Sequence, residues 1–278
     1  MLSSVSAELL KLRKRPATWV LAGAWLSLLL FFGYVLTYLS YRSAGDTAAG
    51  RRILADALPA NLVANTVGGY ALFGGAIVMI LGALVAGSEY GWGTLKTVLT
   101  QRPGRTSVHL GQVSALAATL LALVLLSFGL AAATSAIIAT SEAMPLDWPS
   151  AGELATGIAA GWLILGMWCA FGLLLGTLAR GPALAVGLGL VWALALENLI
   201  RGFAALLDPV ATLQRVMPGT NAGSLVAALG AQAQGSGAGG TPGVVAVVDG
   251  TQATVVLLGY LIGFVLLAGV LLHRRDVT

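Results

Sequence analysis

Apolar residues gather along this chain into long runs that short polar joints interrupt. A helix needs about 20 apolar residues to cross roughly 30 Å of hydrocarbon. Six runs meet or approach that length: Thr18–Leu39, Gly68–Gly87, Val113–Ala139, Leu154–Ala179, Ala183–Ile200 and Ala253–Leu272. The third is longer than a bilayer requires and is expected to tilt or project. Six spans return both ends of the chain to one side. A cleaved signal would carry a shorter apolar core, about 7–15 residues, followed by a small-residue cleavage site. The first run is longer than that and reads as a retained span.

Composition agrees with this pattern. The 278 residues are 58% hydrophobic and 9% charged, where soluble domains carry roughly a quarter charged residues, and the mean hydropathy is +0.90. The expected fold class is an all-α membrane protein, one transmembrane domain over residues 1–278. The 37 glycines suit close helix packing in lipid. A net charge of +4 gives no support to a nucleic-acid partner; the placement of the cations says more. With the N-terminus in the cytoplasm, ten of the 15 Lys and Arg fall on the inside and five outside. Two of those five, Arg201 and Arg215, lie in a long loop where the bias counts least. Both termini are therefore expected in the cytoplasm. The loop SEAMPLDWPSAGE, with acids as its only charges, agrees with an outside location.

Residues 201–252 form the largest hydrophilic piece and are expected outside. Their first part, RGFAALLDPVATLQRVMPGTNAGSLVAALG, is patterned for one or two short interfacial helices. The second, AQAQGSGAGGTPG, reads as a flexible linker.

Signatures of chemistry are scarce. The two histidines, His109 and His273, fall where spans meet water, and HExxH and CxxC are absent, so no metal site is expected. The lone cysteine, Cys169, reads as a packed side chain. No GxxxxGK[ST] occurs, so the chain has no P-loop with which to cradle nucleotide phosphates. Glu197 is the one acid inside a predicted span, and intramembrane carboxylates are costly. Arg201 follows at i+4, which suggests an interfacial ion pair or a cap that fixes the fifth helix. A polar lining of a translocation path is the functional alternative. An intramembrane protease of the EExxxR type has little support, because Leu196 precedes Glu197 and the spans hold no histidine pair.

One polar interruption stands out. Residues 88–106 separate the second and third spans with about twenty residues, where helix connections usually take 2–8. Trp92, Leu95, Val98 and Leu99 mark one helical face, and Lys96, Thr97 and Thr100 the other. Gly91 and Gly93 permit a sharp exit from the membrane, Pro103-Gly104 ends the segment, and Thr106 or Ser107 is placed to cap the next helix. The pattern fits a short amphipathic helix that receives a partner's movement. It fits equally an inert helix resting on lipid headgroups.

The stretch GSEYGWGTLKTVLTQRPGR resembles the cytoplasmic segment of ABC-2 type permeases through Glu89, Gly93, Thr94, Leu95, Lys96, Leu99, Pro103 and Arg105. SAELLKLRKRPATW is similar to the amphipathic helix that precedes their first span, here residues 1–17, with Val5, Leu9 and Leu12 on one face and Glu8, Lys11 and Arg15 on another. LENLI and MPGT resemble their C-terminal half. The resemblance implies a permease subunit of a bacterial plasma-membrane exporter, with six spans and residues 88–106 as a coupling helix on a separate ATPase. Contacts would come from Glu89, Gly91, Gly93, Thr94, Leu95, Lys96, Val98, Leu99, Arg102 and Arg105. It implies too a second permease chain, and ATP and Mg bound by the ATPase, with no cofactor or catalysis in this chain. A non-transporting scaffold or sensor that recruits a cytoplasmic partner is the rival. An ion-driven transporter is a weaker one.

Overall fold

The computed structural model describes residues 2–91, 104–235 and 240–274. Ten helices account for most of them: α1 (Leu2–Lys14), α2 (Pro16–Ala44), α3 (Ala48–Asp56), α4 (Pro59–Gly91), α5 (Arg105–Ser141), α6 (Ala151–Ala179), α7 (Pro182–Ala204), α8 (Asp208–Gln214), α9 (Pro218–Ala228) and α10 (Gly250–Arg274). No strand occurs among the described residues, only an isolated bridge between Ala233 and Thr241. Six of the helices, α2, α4, α5, α6, α7 and α10, are long and apolar enough to cross a membrane. Each contains one predicted run and extends beyond it.

Local chemistry sets the helix boundaries. Pro16 opens α2 after an extended Arg15, a position where its missing N–H costs nothing. Ser150 and Glu153 form a reciprocal capping box that starts α6. Helix α5 begins at Arg105 with Gly104 as its N-cap and no side-chain cap. Thr106, an expected cap, instead lies 3.0 Å from His273 Nε2.

The centre of the bundle is the α4–α6 pair, where small residues let the backbones meet. A Cβ on Gly82 would strike the Cys169 carbonyl, and one on Gly172 would strike that of Met79. With no hydrophobic drive between helices in lipid, such close packing carries the association. Trp25, Tyr70, Ile164, Leu165, Met167 and Leu173 fill the core around the pair. By contrast α2, α7 and α10 leave large apolar side chains outward, among them Phe31, Val35, Leu39, Val191, Leu199, Val255, Ile262 and Leu266. So much apolar surface suits contact with lipid.

Two departures from the sequence expectation matter for function. The region after α7 contains two short helices as expected, yet α9 is no interfacial helix. Pro218 through Val226 are all buried, because small side chains fit between α10 and α4; Gly223 has room for no Cβ beneath Gly243 and Val245. The supposed linker is also anchored on both flanks: Gln234 N–H donates to Val244 O at 2.9 Å and Thr241 N–H to Gln232 O at 3.1 Å. Residues 236–239 lie outside the described set.

Three spans also widen locally into π-helical turns, at Phe31–Val35, Tyr70–Gly74 and Val191–Leu196. In α4 the Gly74 N–H reaches back five residues to Gly69 O at 2.9 Å.

Candidate functional site: the charged end of the bundle

Both described chain ends lie at the same end of the bundle. Arg105, first residue of α5, donates from Nη1 to Leu272 O at 3.1 Å and His273 O at 2.8 Å. It thereby ties the start of α5 to the last described turn of α10. The last turn of α4 and the first of α7 meet nearby, where Gly87 abuts the Gly181–Pro182 backbone.

Helix α4 runs past the predicted limit at Gly87 and carries Glu89 in its final turn, buried. A buried carboxylate needs partners, and α1 supplies them. Lys11 Nζ donates to Glu89 Oε1 at 2.7 Å, and Arg15 Nη2 stands 3.9 Å from the same oxygen. Lys11 also pairs with Glu8 Oε1 at 2.5 Å. Arg15 Nη1 reaches the Leu84 carbonyl at 3.3 Å, lower on α4. Two acids and two bases thus bind α1 to the end of α4, and α1 packs along α5, where Gly111 admits the Ser4 backbone.

The electrostatics follow from burial opposed by pairing. Burial pushes the Glu8 carboxyl above the usual glutamate range, with the Lys11 hydrogen bond acting against it. Burial alone would lower Lys11, but its hydrogen bonds to Glu8 and Glu89 outweigh that and raise it. Lys11 therefore stays charged across the physiological range.

This geometry corrects two expectations. Glu89 is not a surface residue, since Lys11 and Arg15 enclose it. The faces of α1 do not divide into apolar-in and charged-out: Glu8 and Leu12 are buried together, Val5, Lys11 and Arg15 are half-buried, and Leu9 is exposed. Charge faces the protein because the carboxylate to be neutralised is there. The spacing of Glu8, Lys11 and Arg15 carried this information; their partner, 78 residues from Lys11, did not declare itself.

Of the other expected contacts, Gly91 is exposed at the end of α4, where an added Cβ would come within 3.9 Å of the Pro182 ring. Gly93, Thr94, Leu95, Lys96, Val98, Leu99 and Arg102 lie outside the described residues.

Glu197 belongs to the opposite end. It is buried, accepts from Gly219 N–H at 2.9 Å and from Trp192 Nε1–H at 3.2 Å, and lines neither of the two large cavities. Arg201 donates to Asn198 Oδ1 at 3.1 Å, so the expected i+4 ion pair gives way to a helix cap. The free N–H groups at the start of α9 hold the carboxylate more closely than the half-buried Arg201 guanidinium does. Among the described residues, no three His, Cys, Asp or Glu side chains gather as a metal site requires.

Residues 4–195, well over half of the chain, match the family described as ABC-2 family transporter protein. The chain belongs to that family. No curated protein matches it. The ABC-2 match runs from α1 into α7 and includes every residue of the Glu8–Lys11–Arg15–Glu89 cluster, whereas Glu197 and α8–α10 fall beyond it. With six apolar spans of sufficient length, this ABC-2 family member is a multi-pass membrane protein of the permease type.

Proposed function

We propose that this chain is the permease subunit of an ATP-driven exporter in a bacterial plasma membrane, with both termini cytoplasmic. It would work with a second permease chain and with ATPase subunits that hold ATP and Mg. Residues 88–106 would dock on the ATPase. The observation that carries this reading is the buried ionic cluster. It ties the last turn of α4, where the docking segment begins, to α1 and through α1 to α5. A pull on that segment then moves three helices together, as rigid packed elements transmit displacement.

The burial of Glu89 decides which variants are informative. Reversing its charge would set a cation beside Lys11 and Arg15 and damage the bundle, whereas Glu89→Gln keeps the shape and removes only the ionic link. The chain is co-expressed with a Walker-containing ATPase, sought first in the neighbouring reading frames, and reconstituted in vesicles. Parent vesicles are expected to show ATP-dependent efflux of lipophilic dyes. In Glu89→Gln and Lys11→Met vesicles the ATPase still co-purifies and hydrolyses ATP, while efflux falls about ten-fold or more, the size of a lost coupling energy of 1–3 kcal/mol. Efflux undiminished in both variants overturns the coupling role. Absence of flux from parent vesicles with and without ATP favours the scaffold reading instead.

A further inference from the structure

Two large cavities indent the bundle, and they differ in kind. The larger, about 630 Å³ between α5, α6 and α10, has almost wholly apolar walls and offers no charge by which to choose a ligand. The smaller, about 460 Å³, lies between α2, the end of α3, α4, and residues 230–232 and 240–242. Its size falls within the range of about 300–1,000 Å³ typical of small-molecule sites. One part is apolar: Leu28, Leu36, Phe32 and Phe73, the two phenyl rings parallel with centroids 6.1 Å apart. The other is polar, with Asp56, Asn61, Asn65 and Gln232.

Both long walls carry a helix distortion. Phe32 and Gly33 belong to the π-helical turn of α2 and Phe73 to that of α4. Asn65 donates to the Gly33 carbonyl at 3.0 Å and so supplies a partner for a backbone group inside the widened turn. Such turns cost hydrogen-bond geometry and are frequent at functional sites. Here two of them face one cavity.

Among the described residues that line the cavity, Asp56 alone is charged. It is exposed at the polar end, and its hydrogen bonds are two long ones from Gln232 Nε2, each 3.5 Å. No cation among the described residues pairs with it: Arg51 serves Asp46 at 2.6 Å. Partial burial alone holds the Asp56 carboxyl above the ordinary aspartate range, with no neighbouring positive charge opposing it. A carboxylate without a cation, at the end of an aromatic slot, calls for positive charge on an apolar body.

We infer that this cavity binds lipophilic organic monocations, with the charge at Asp56 and the apolar body against Phe32 and Phe73. That such cations are transported rests on the exporter reading above; that they bind does not.

Tetraphenylphosphonium and tetraphenylborate share a shape and differ in the sign of charge. Their binding to the purified full-length chain, corrected for empty micelles, is measured by equilibrium dialysis. The phosphonium is expected to bind about ten-fold or more tightly than the borate, the difference made by one partly desolvated charge contact. Asp56→Asn, which keeps the Gln232 contact, abolishes that preference, and Asp56→Glu retains it. Phe32→Ala with Phe73→Ala weakens both probes alike. Equal affinities in the parent, or an undiminished preference in Asp56→Asn, overturn the assignment. Phosphonium bound through Asp56 without ATP-driven flux leaves the site standing and removes the exporter reading. Flux of other dyes without phosphonium binding does the reverse.

Discussion

The bundle buries Glu89 near one end and Glu197 near the other, and neutralises the two in different ways. Glu89, beside the chain termini, is held by the ammonium and guanidinium of another helix, both on flexible stems. Glu197, at the far end, is held by the Gly219 N–H and the Trp192 indole, the first a group of fixed position. A backbone N–H at a helix start cannot follow a moving partner, whereas Lys11 and Arg15 can turn with theirs. The difference suits one end to transmit movement and the other to fix α9 in place. Only the first lies within the family match.

The largest effects belong to the rigid end. Glu197→Ala leaves the buried Gly219 N–H without its acceptor, a loss of about 1–3 kcal/mol, and weakens Trp192 further. Gly219→Ala drives a methyl into the Glu197 carboxylate, an overpacking that costs about 1–3 kcal/mol. The two should not add, because removal of the carboxylate makes room for the methyl. Unfolding of detergent-solubilised protein checks this cycle: the double variant should be no less stable than Glu197→Ala. Strict additivity would show that the contact between Glu197 and α9 is of little consequence, and the contrast between the ends would weaken.

At the flexible end the same kind of cycle gives a smaller number and a different signature. Lys11→Met strips Glu89 of its nearest cation. The loss should be about 1–2 kcal/mol, less than the 3–5 of a fully buried pair, since Lys11 is 36% exposed and Arg15 stays within reach. Adding Glu89→Gln removes the charge that Lys11 had served and should restore much of that loss. If Lys11→Met with Glu89→Gln proves as unstable as the sum of the singles, Glu89 does not depend on Lys11. The sharper contrast is functional: Lys11→Met with Glu89→Gln should lose coupled efflux at nearly parent stability, and the rigid-end variants stability and efflux together.

These two ends also mark how far the sequence could be read. All six spans were legible, because a run of apolar residues needs no knowledge of its neighbours. Their ends were less so. Helix α4 starts at Pro59, nine residues ahead of the predicted Gly68, since Asn61, Asn65 and Thr66 dilute its first turns. The Thr66 hydroxyl bonds back to Leu62 O at 2.7 Å, as a buried hydroxyl must. Helix α9 was invisible as a core element because PGTNAGSLVAA is rich in small and polar residues, and smallness is what lets it be buried. Glu89 and Glu8 read as surface charges, for charge in a joint ordinarily means water. The cation–carboxylate cluster appears only once α1 folds back against the end of α4. The Asp56 cavity has the same origin, as it joins residues of α2, the end of α3, the start of α4, and residues 230–232 and 240–242.

The smallest expected effect tests a third carboxylate, at the same end of the bundle as Glu197. Glu142 follows α5 and accepts from Tyr38 Oη at 2.7 Å and Tyr41 Oη at 2.9 Å, with Arg42 3.9 Å away. These phenol hydrogen bonds, that of Tyr38 foremost, hold its carboxyl below the usual glutamate range. A folded-state value below the unfolded one means that the clamp stabilises the protein fully above the unfolded value, about 4.3 for glutamate. As pH falls below it, the unfolded chain takes up its proton first and the contribution declines. Melting curves from pH 6 down to pH 3, about one unit below that value, should therefore show a modest acid-side loss in the parent. That loss should be absent from Glu142→Gln and reduced more by Tyr38→Phe than by Tyr41→Phe. Like Lys11, these tyrosines hold a carboxylate through side chains that can turn. If Glu142→Gln kept the parent's acid profile, the clamp between α2 and α5 would contribute nothing, and Glu197 would be the one carboxylate that fixes its end.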